Sequence, residues 1–154
     1  MDLPGDFVAT LKRQLTRDEG LELKPYRDNS KAIGFEDKPG KLTIGVGRNL
    51  DDVGISRDEA DYLLTNDIKL RAIGMLAKQL PWTGALDAPR LGVLANMTFN
   101  EGMGHLLEFR NMLAALERSD YETAAAEMKD SLWYRQVGTR AWRLVTQMQT
   151  GVWQ

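Results

Sequence analysis

Phe7, Val8, Leu11 and Leu15 recur at the spacing of one helix face, with polar residues between them. This predicts a first helix over about residues 5–18, stopped by Gly20. From Leu21 to Leu50 the pattern changes to period two. Tyr26, Ile33, Phe35, Leu42, Ile44 and Val46 alternate with polar positions and with Gly34, Gly40, Gly45 and Gly47. Asp37-Lys38-Pro39-Gly40 is turn chemistry, so a small antiparallel sheet with a hairpin turn near 37–40 follows. After Val53 the helical spacing returns. Ser56-Arg57-Asp58-Glu59 reads as a capping box, with Ser56 as N-cap. Ala60, Leu63, Leu64, Ile68, Ala72 and Leu76 then mark one long helix to about Lys78, roughly 33 Å in length.

Pro81-Trp82 breaks that helix, and Asp87-Ala88-Pro89 starts the next with proline in its first turn. Leu91, Val93, Leu94, Met97 and Phe99 make this helix apolar on more than one side, which predicts a central position. Gly102 and Gly104 end it. Three more helices follow, over about 108–117, 121–129 and 140–149, the last capped by Thr139 and stopped by Gly151. The predicted class is α+β but mainly α, in a single domain over 1–154. A small antiparallel sheet lobe (about 20–55) precedes a connecting helix (about 56–79) and a larger helical lobe (about 80–154), which the N-terminal helix joins. A cleft between lobes is the expected place for a ligand.

Composition narrows the function. The 154 residues include no cysteine, which excludes a disulfide framework and a thiolate metal site. A net charge of −2 argues against a nucleic-acid binder. The first residues lack a basic stretch followed by an apolar run, so no secretory signal is expected. No stretch approaches the length of a membrane span.

Two carboxylates stand in contrasting settings. Glu19 lies at the predicted helix end, where the electronegative C-terminus disfavours an anion and suits a proton donor. Asp28 lies at a strand end nine positions later. Such a pair is what acid/base cleavage of a sugar–sugar bond requires. Taken singly, Glu19 also reads as a solvated carboxylate, Asp28 as a turn former and Thr43 as an ordinary strand residue. His105, the one histidine, has no metal-ligating company or serine elbow. Gly45-Val46-Gly47 lacks the lysine and Ser/Thr of a phosphate loop. Trp133, Trp142, Trp153 and Phe99 read as core, Arg140 as a solvated helix-start charge, and the seven methionines as gap fillers.

Four motifs in order then resemble the phage T4-type lysozymes, endolysins that hydrolyse peptidoglycan. They are Asp18-Glu19-Gly20-Leu21 with Leu23-Lys24-Pro25-Tyr26-Arg27-Asp28; Thr43-Ile44-Gly45-Val46-Gly47; Asn96-Met97-Thr98-Phe99-Asn100; and the C-terminal Trp133-Tyr134-Arg135-Gln136, Arg140-Ala141 and Thr150-Gly151-Val152-Trp153. The resemblance implies a lysozyme-like fold and cleavage of the β-1,4 bond between N-acetylmuramic acid and N-acetylglucosamine, with inversion. It makes Glu19 the general acid, Asp28 the base or electrostatic partner and Thr43 a holder of the attacking water. Arg140 matches a supporting arginine that pairs with the catalytic glutamate. Gly47 and Phe99 match positions lining the sugar cleft, as does Asn49 or Leu50. The implied partner is a peptidoglycan glycan strand, met by a monomer without metal or organic cofactor. The protein would be made in the host cytoplasm and act on the wall once the inner membrane opens.

Three departures qualify the match. The family places its catalytic Asp six residues before the threonine. Here Asp37 has that spacing, while Asp28 has the right distance from Glu19; residues 29–36 are inserted between them. The ungapped match from Asp18 to Asp28 favours Asp28. Arg48 stands where a histidine often follows the Thr-Ile-Gly-x-Gly motif, so any ion pair made there differs. The C-terminal tail is also shorter. Competing readings are a lytic transglycosylase using Glu19 alone, and a wall-binding module without catalysis.

Overall fold

A computed structural model describes residues 5–28 and 40–154. The alternative carboxylate Asp37, the 29–36 insertion and, but for Gly40, the predicted turn near 37–40 lie outside the described residues. Helix α1 spans Phe7–Glu19 and ends where Gly20 turns to φ +78° and donates its N–H to Thr16 O at 3.0 Å. Strand β1 (Glu22–Asp28) pairs antiparallel with β2 (Lys41–Gly45), and β2 pairs antiparallel with β3 (Arg48–Asn49). The β1–β2 register slips between Glu22 and Tyr26, next to Pro25, which has no N–H to give a ladder. The chain reverses from β2 to β3 over Gly45-Val46-Gly47. Gly45 and Gly47 both take positive φ, +69° and +68°, where a side chain is strained.

The capping box forms as its spacing predicts. Glu59 N–H donates to Ser56 Oγ (3.2 Å), and Ser56 N–H donates to Glu59 Oε2 (2.7 Å). The long helix is not uniform. Helix α2 (Arg57–Asn66) passes into a π-helical stretch, Asp67–Ile73, before helix α3 (Gly74–Gln79) resumes the α register. Gly74 N–H donates to Lys69 O across this stretch.

A 3-10 turn, Pro81–Ala85, leads to α4 (Ala88–Glu101), capped by Asp87 with Pro89 in its first turn. Short α5 (Met103–Leu106) precedes α6 (Arg110–Glu117), α7 (Tyr121–Asp130), α8 (Leu132–Val137) and α9 (Thr139–Thr150). The protein is therefore mainly α with one small antiparallel sheet. Thr139 is not the cap of α9. It is the first helical residue, and Gly138 (φ +66°) occupies the cap position without a side-chain bond.

The chain divides into two compact units, Met1–Ala60 and Asp61–Gln154. In the second, α4 buries Val93, Leu94 and Met97 among Leu76, Leu106, Leu116, Ala124, Met128, Ala141, Val145 and Met148. Met97, Met103, Met112, Met128 and Met148 are all buried, as gap fillers should be. Trp133 is buried and stands edge-on to Phe109 (6.1 Å, 88°), but Trp142, Trp153 and Phe99 are exposed rather than core. In the first unit, Thr43 is the one buried residue among those described, and α1 buries none.

Candidate active site

Glu19 is the last residue of α1, and Gly20 redirects the chain so that β1 begins three residues after it. Its carboxylate lies beside the β2–β3 turn: a Cβ on Gly47 would sit 3.8 Å from Glu19 Oε2. Glycine therefore gives the turn a close approach to this carboxylate without a side chain in between.

Beyond the bulge the β1–β2 register is regular, with Tyr26 opposite Thr43 and Asp28 opposite Lys41. Cross-strand partners share a face, and so do residues two apart on a strand. Asp28, Lys41, Thr43 and Tyr26 thus project from one face, with Asp28 and Thr43 as diagonal neighbours, a relation of roughly 7–8 Å in antiparallel sheets. Thr43 is 4% exposed and its hydroxyl donates to Lys41 O at 3.1 Å. A hydroxyl has one donor and two acceptor positions, so Thr43 Oγ1 keeps only acceptor capacity.

Asn49 pairs with Thr43 in the β2–β3 register, but its amide closes the following turn. Nδ2 donates to Asp52 Oδ2 (2.8 Å), and Oδ1 accepts from Asp52 N–H (3.0 Å). Lys41 Nζ reaches Asp52 Oδ1 at 2.7 Å. That bond holds the Asp52 carboxyl below its ordinary range, helped by the Asn49 amide, and raises the Lys41 ammonium. Asp51 Oδ2 accepts from the Leu42 N–H (2.9 Å), which ties the same turn to β2.

In the second unit, Arg140 at the start of α9 donates Nε and Nη2 to Asn96 Oδ1 (3.1 and 2.7 Å) and Nη1 to Asn100 Oδ1 (2.8 Å). Phe99, 53% exposed, shares with Arg140 and Asn96 a concavity of about 500 Å³, otherwise apolar and lined by Ile68, Leu91 and Trp153. A larger groove, about 670 Å³, runs past Phe109, Trp133, Glu108, Glu127 and Asp130. Its acidic residues come from the end of α4 (Glu101), the turn before α6 (Glu108) and α7 (Glu127 and Asp130), so no single spacing marks the groove in the sequence. Trp133 Nε1 is buried there without a hydrogen-bond partner among the described residues. His105 Nδ1 lies 2.9 Å from Glu101 O. Among the described residues no three His, Asp or Glu side chains converge as a metal site, and no helix is long and apolar enough to cross a membrane.

A family model described as phage lysozyme matches residues 16–149. The chain is 32% identical over 171 residues to the pre-baseplate central spike protein Gp5 of Enterobacteria phage T4, a match that covers 92% of this chain and 28% of that protein. It is 27% identical over 173 residues to probable T4-type lysozyme 2 of Dictyostelium discoideum, and 25% identical over 166 residues to probable T4-type lysozyme 1 of the same organism. Each of those matches covers 94% of this chain and 96% of the relative. This chain thus spans little more than a quarter of the spike protein but nearly the whole of the two lysozymes. With the family match extending from the end of α1 into the last turn of α9, the chain belongs to the phage lysozyme family.

Proposed function

We propose that this protein is a muramidase that hydrolyses the β-1,4 bond between N-acetylmuramic acid and N-acetylglucosamine in peptidoglycan. The observation that carries the reading is the first unit's arrangement. Glu19 stands at a helix end against the bare Gly47 backbone, and the sheet register sets Asp28 diagonally from the buried Thr43 hydroxyl. In this reading Glu19 gives its proton to the glycosidic oxygen, so the leaving sugar departs as an alcohol. A water donates one hydrogen bond to Thr43 Oγ1, whose own proton is engaged by Lys41 O, and loses a proton to Asp28 as its oxygen attacks the anomeric carbon. Two carboxylates with room for a water between them give inversion, which needs a separation of about 6.5–9.5 Å.

In the first unit Gly47 and Asn49 present the turn to the sugar; in the second, Phe99 offers an exposed ring suited to stacking, beside an Arg140 guanidinium engaged by Asn96 and Asn100. The substrate is then a glycan strand of the bacterial wall, and the biological setting is phage lysis.

The test is the product. Wild-type protein should release sugars with hydrolytic reducing ends, of α configuration at the moment of release by NMR, and of hydrolytic mass. Anhydro ends would instead indicate a transglycosylase. Glu19→Gln should lose turnover by a factor of at least about a thousand while keeping its circular dichroism. Wall binding without bond cleavage by the wild type would overturn the enzyme reading. If Asp37→Asn abolishes turnover and Asp28→Asn does not, the role given to Asp28 moves to Asp37.

A further inference from the structure

Arg48 follows directly after Gly47, and its side chain turns back to the start of α2. Nη1 donates to Gly54 O at 3.2 Å, and Nη2 pairs with Glu59 Oε1 at 2.5 Å. Glu59 is itself fixed, because its other oxygen accepts the Ser56 N–H and its own N–H donates to Ser56 Oγ. The Ser56 backbone N–H, opposed by burial and assisted by the Ser56 hydroxyl and Arg48, keeps the Glu59 carboxyl below the ordinary range and therefore ionised. A continuous set of bonds thus runs from a helix cap to Arg48, the next residue in the chain after Gly47, which faces the Glu19 carboxylate.

The two side chains are 38% and 42% exposed, so water screens the pair and its effect on stability is small. Its geometric effect is larger. The turn before Arg48 has two glycines at positive φ, the residue type with most freedom to drift. A guanidinium can hold two acceptors in fixed directions at once, which an ammonium does less well.

We infer that Arg48 is a positioning residue: braced on Glu59 and Gly54, it holds the Gly45-Val46-Gly47 turn against Glu19, and so sets the orientation of the proton donor. This rests on the muramidase reading above. A misplacement of about 1 Å at a reacting group can cost about a hundredfold in rate.

The experiment compares Arg48→Met, Glu59→Gln, the double variant and Arg48→Lys in the full chain. Glutamine at 59 still accepts the Ser56 amide, so the cap survives while the ion pair is lost. Expected are losses in kcat of about tenfold or more for Arg48→Met and Glu59→Gln, with KM within about twofold. The double variant should be no worse than the poorer single one, and Arg48→Lys should recover part of the rate. The 13C resonance of the Glu19 carboxyl should move in Arg48→Met at constant pH. Wild-type kcat in Arg48→Met, or an unmoved Glu19 resonance, overturns the inference. The resonance needs no substrate, so it decides the brace even if Glu19→Gln retains activity and the muramidase reading falls.

Discussion

Thr43 owes its burial to its place on the middle strand, between Tyr26 on β1 and Asn49 on β3. Its hydroxyl donates to Lys41 O, so its lone pairs are what it has left to offer a further hydrogen bond. Thr43→Val removes the acceptor and one hydrogen bond while keeping the shape. We expect a loss of stability of about 1 kcal/mol, read by thermal melting, and a fall in kcat of at least about tenfold. Thr43→Ser should restore most of the rate; wild-type turnover in Thr43→Val would remove Thr43 from the mechanism. The helix-end place of Glu19 and the strand place of Thr43 are legible in the sequence, because the Gly20 stop and strand alternation fix them locally. The employment of Asn49 in the Asp52 turn was not, since it depends on side-chain pairing that no spacing announces. Nor was the exposure of Phe99, because apolar spacing on a helix does not say which stretch of a stripe is covered.

Helix caps carried the most information about the elements. Asp87 accepts the Arg90 N–H at 3.0 Å and pairs with Arg90 Nη1 at 2.6 Å, while the same guanidinium reaches Met148 O and lies 3.6 Å over the Tyr121 ring. Burial pushes the Asp87 carboxyl up, but the Arg90 N–H and guanidinium outweigh it, and the group ends below its ordinary range. Asp87→Ala should cost about 1 kcal/mol, or about 2–4 °C in Tm. The folded carboxyl is the stronger acid, so its contribution is complete above about pH 4, the unfolded aspartate range, and disappears as pH falls through the lower folded value. Melting curves of the two proteins should therefore differ most near neutrality and converge in strong acid. The starts of α2 and α4 are legible in the sequence because cap chemistry is local. Helix α8, six residues between Ser131 and Gly138, is too short to show a period. The π stretch changes hydrogen-bond partners without changing composition, so only coordinates reveal it.

Across the whole chain, the family and the mainly helical class were both legible, because four separated motifs agreed in order. The two units part at Ala60–Asp61, inside helix α2, where the helical pattern runs on unbroken. Apolar burial is also uneven: the buried hydrophobic cluster comes from residues of the second unit. Five methionines sit inside that cluster, at most 4% exposed, whereas Met75 on α3 is 37% exposed. Thioether sulfur is oxidised on contact with peroxide, and a sulfoxide is too polar to return to an apolar interior. Under dilute peroxide, peptide mass mapping should show Met75 modified before Met97, Met112, Met128 and Met148, which react only as fast as the interior opens. Equal rates at all five would contradict the burial described here. A first oxidation inside makes further opening of that molecule easier, so damage should be all-or-none, with intact and multiply oxidised chains side by side and few in between.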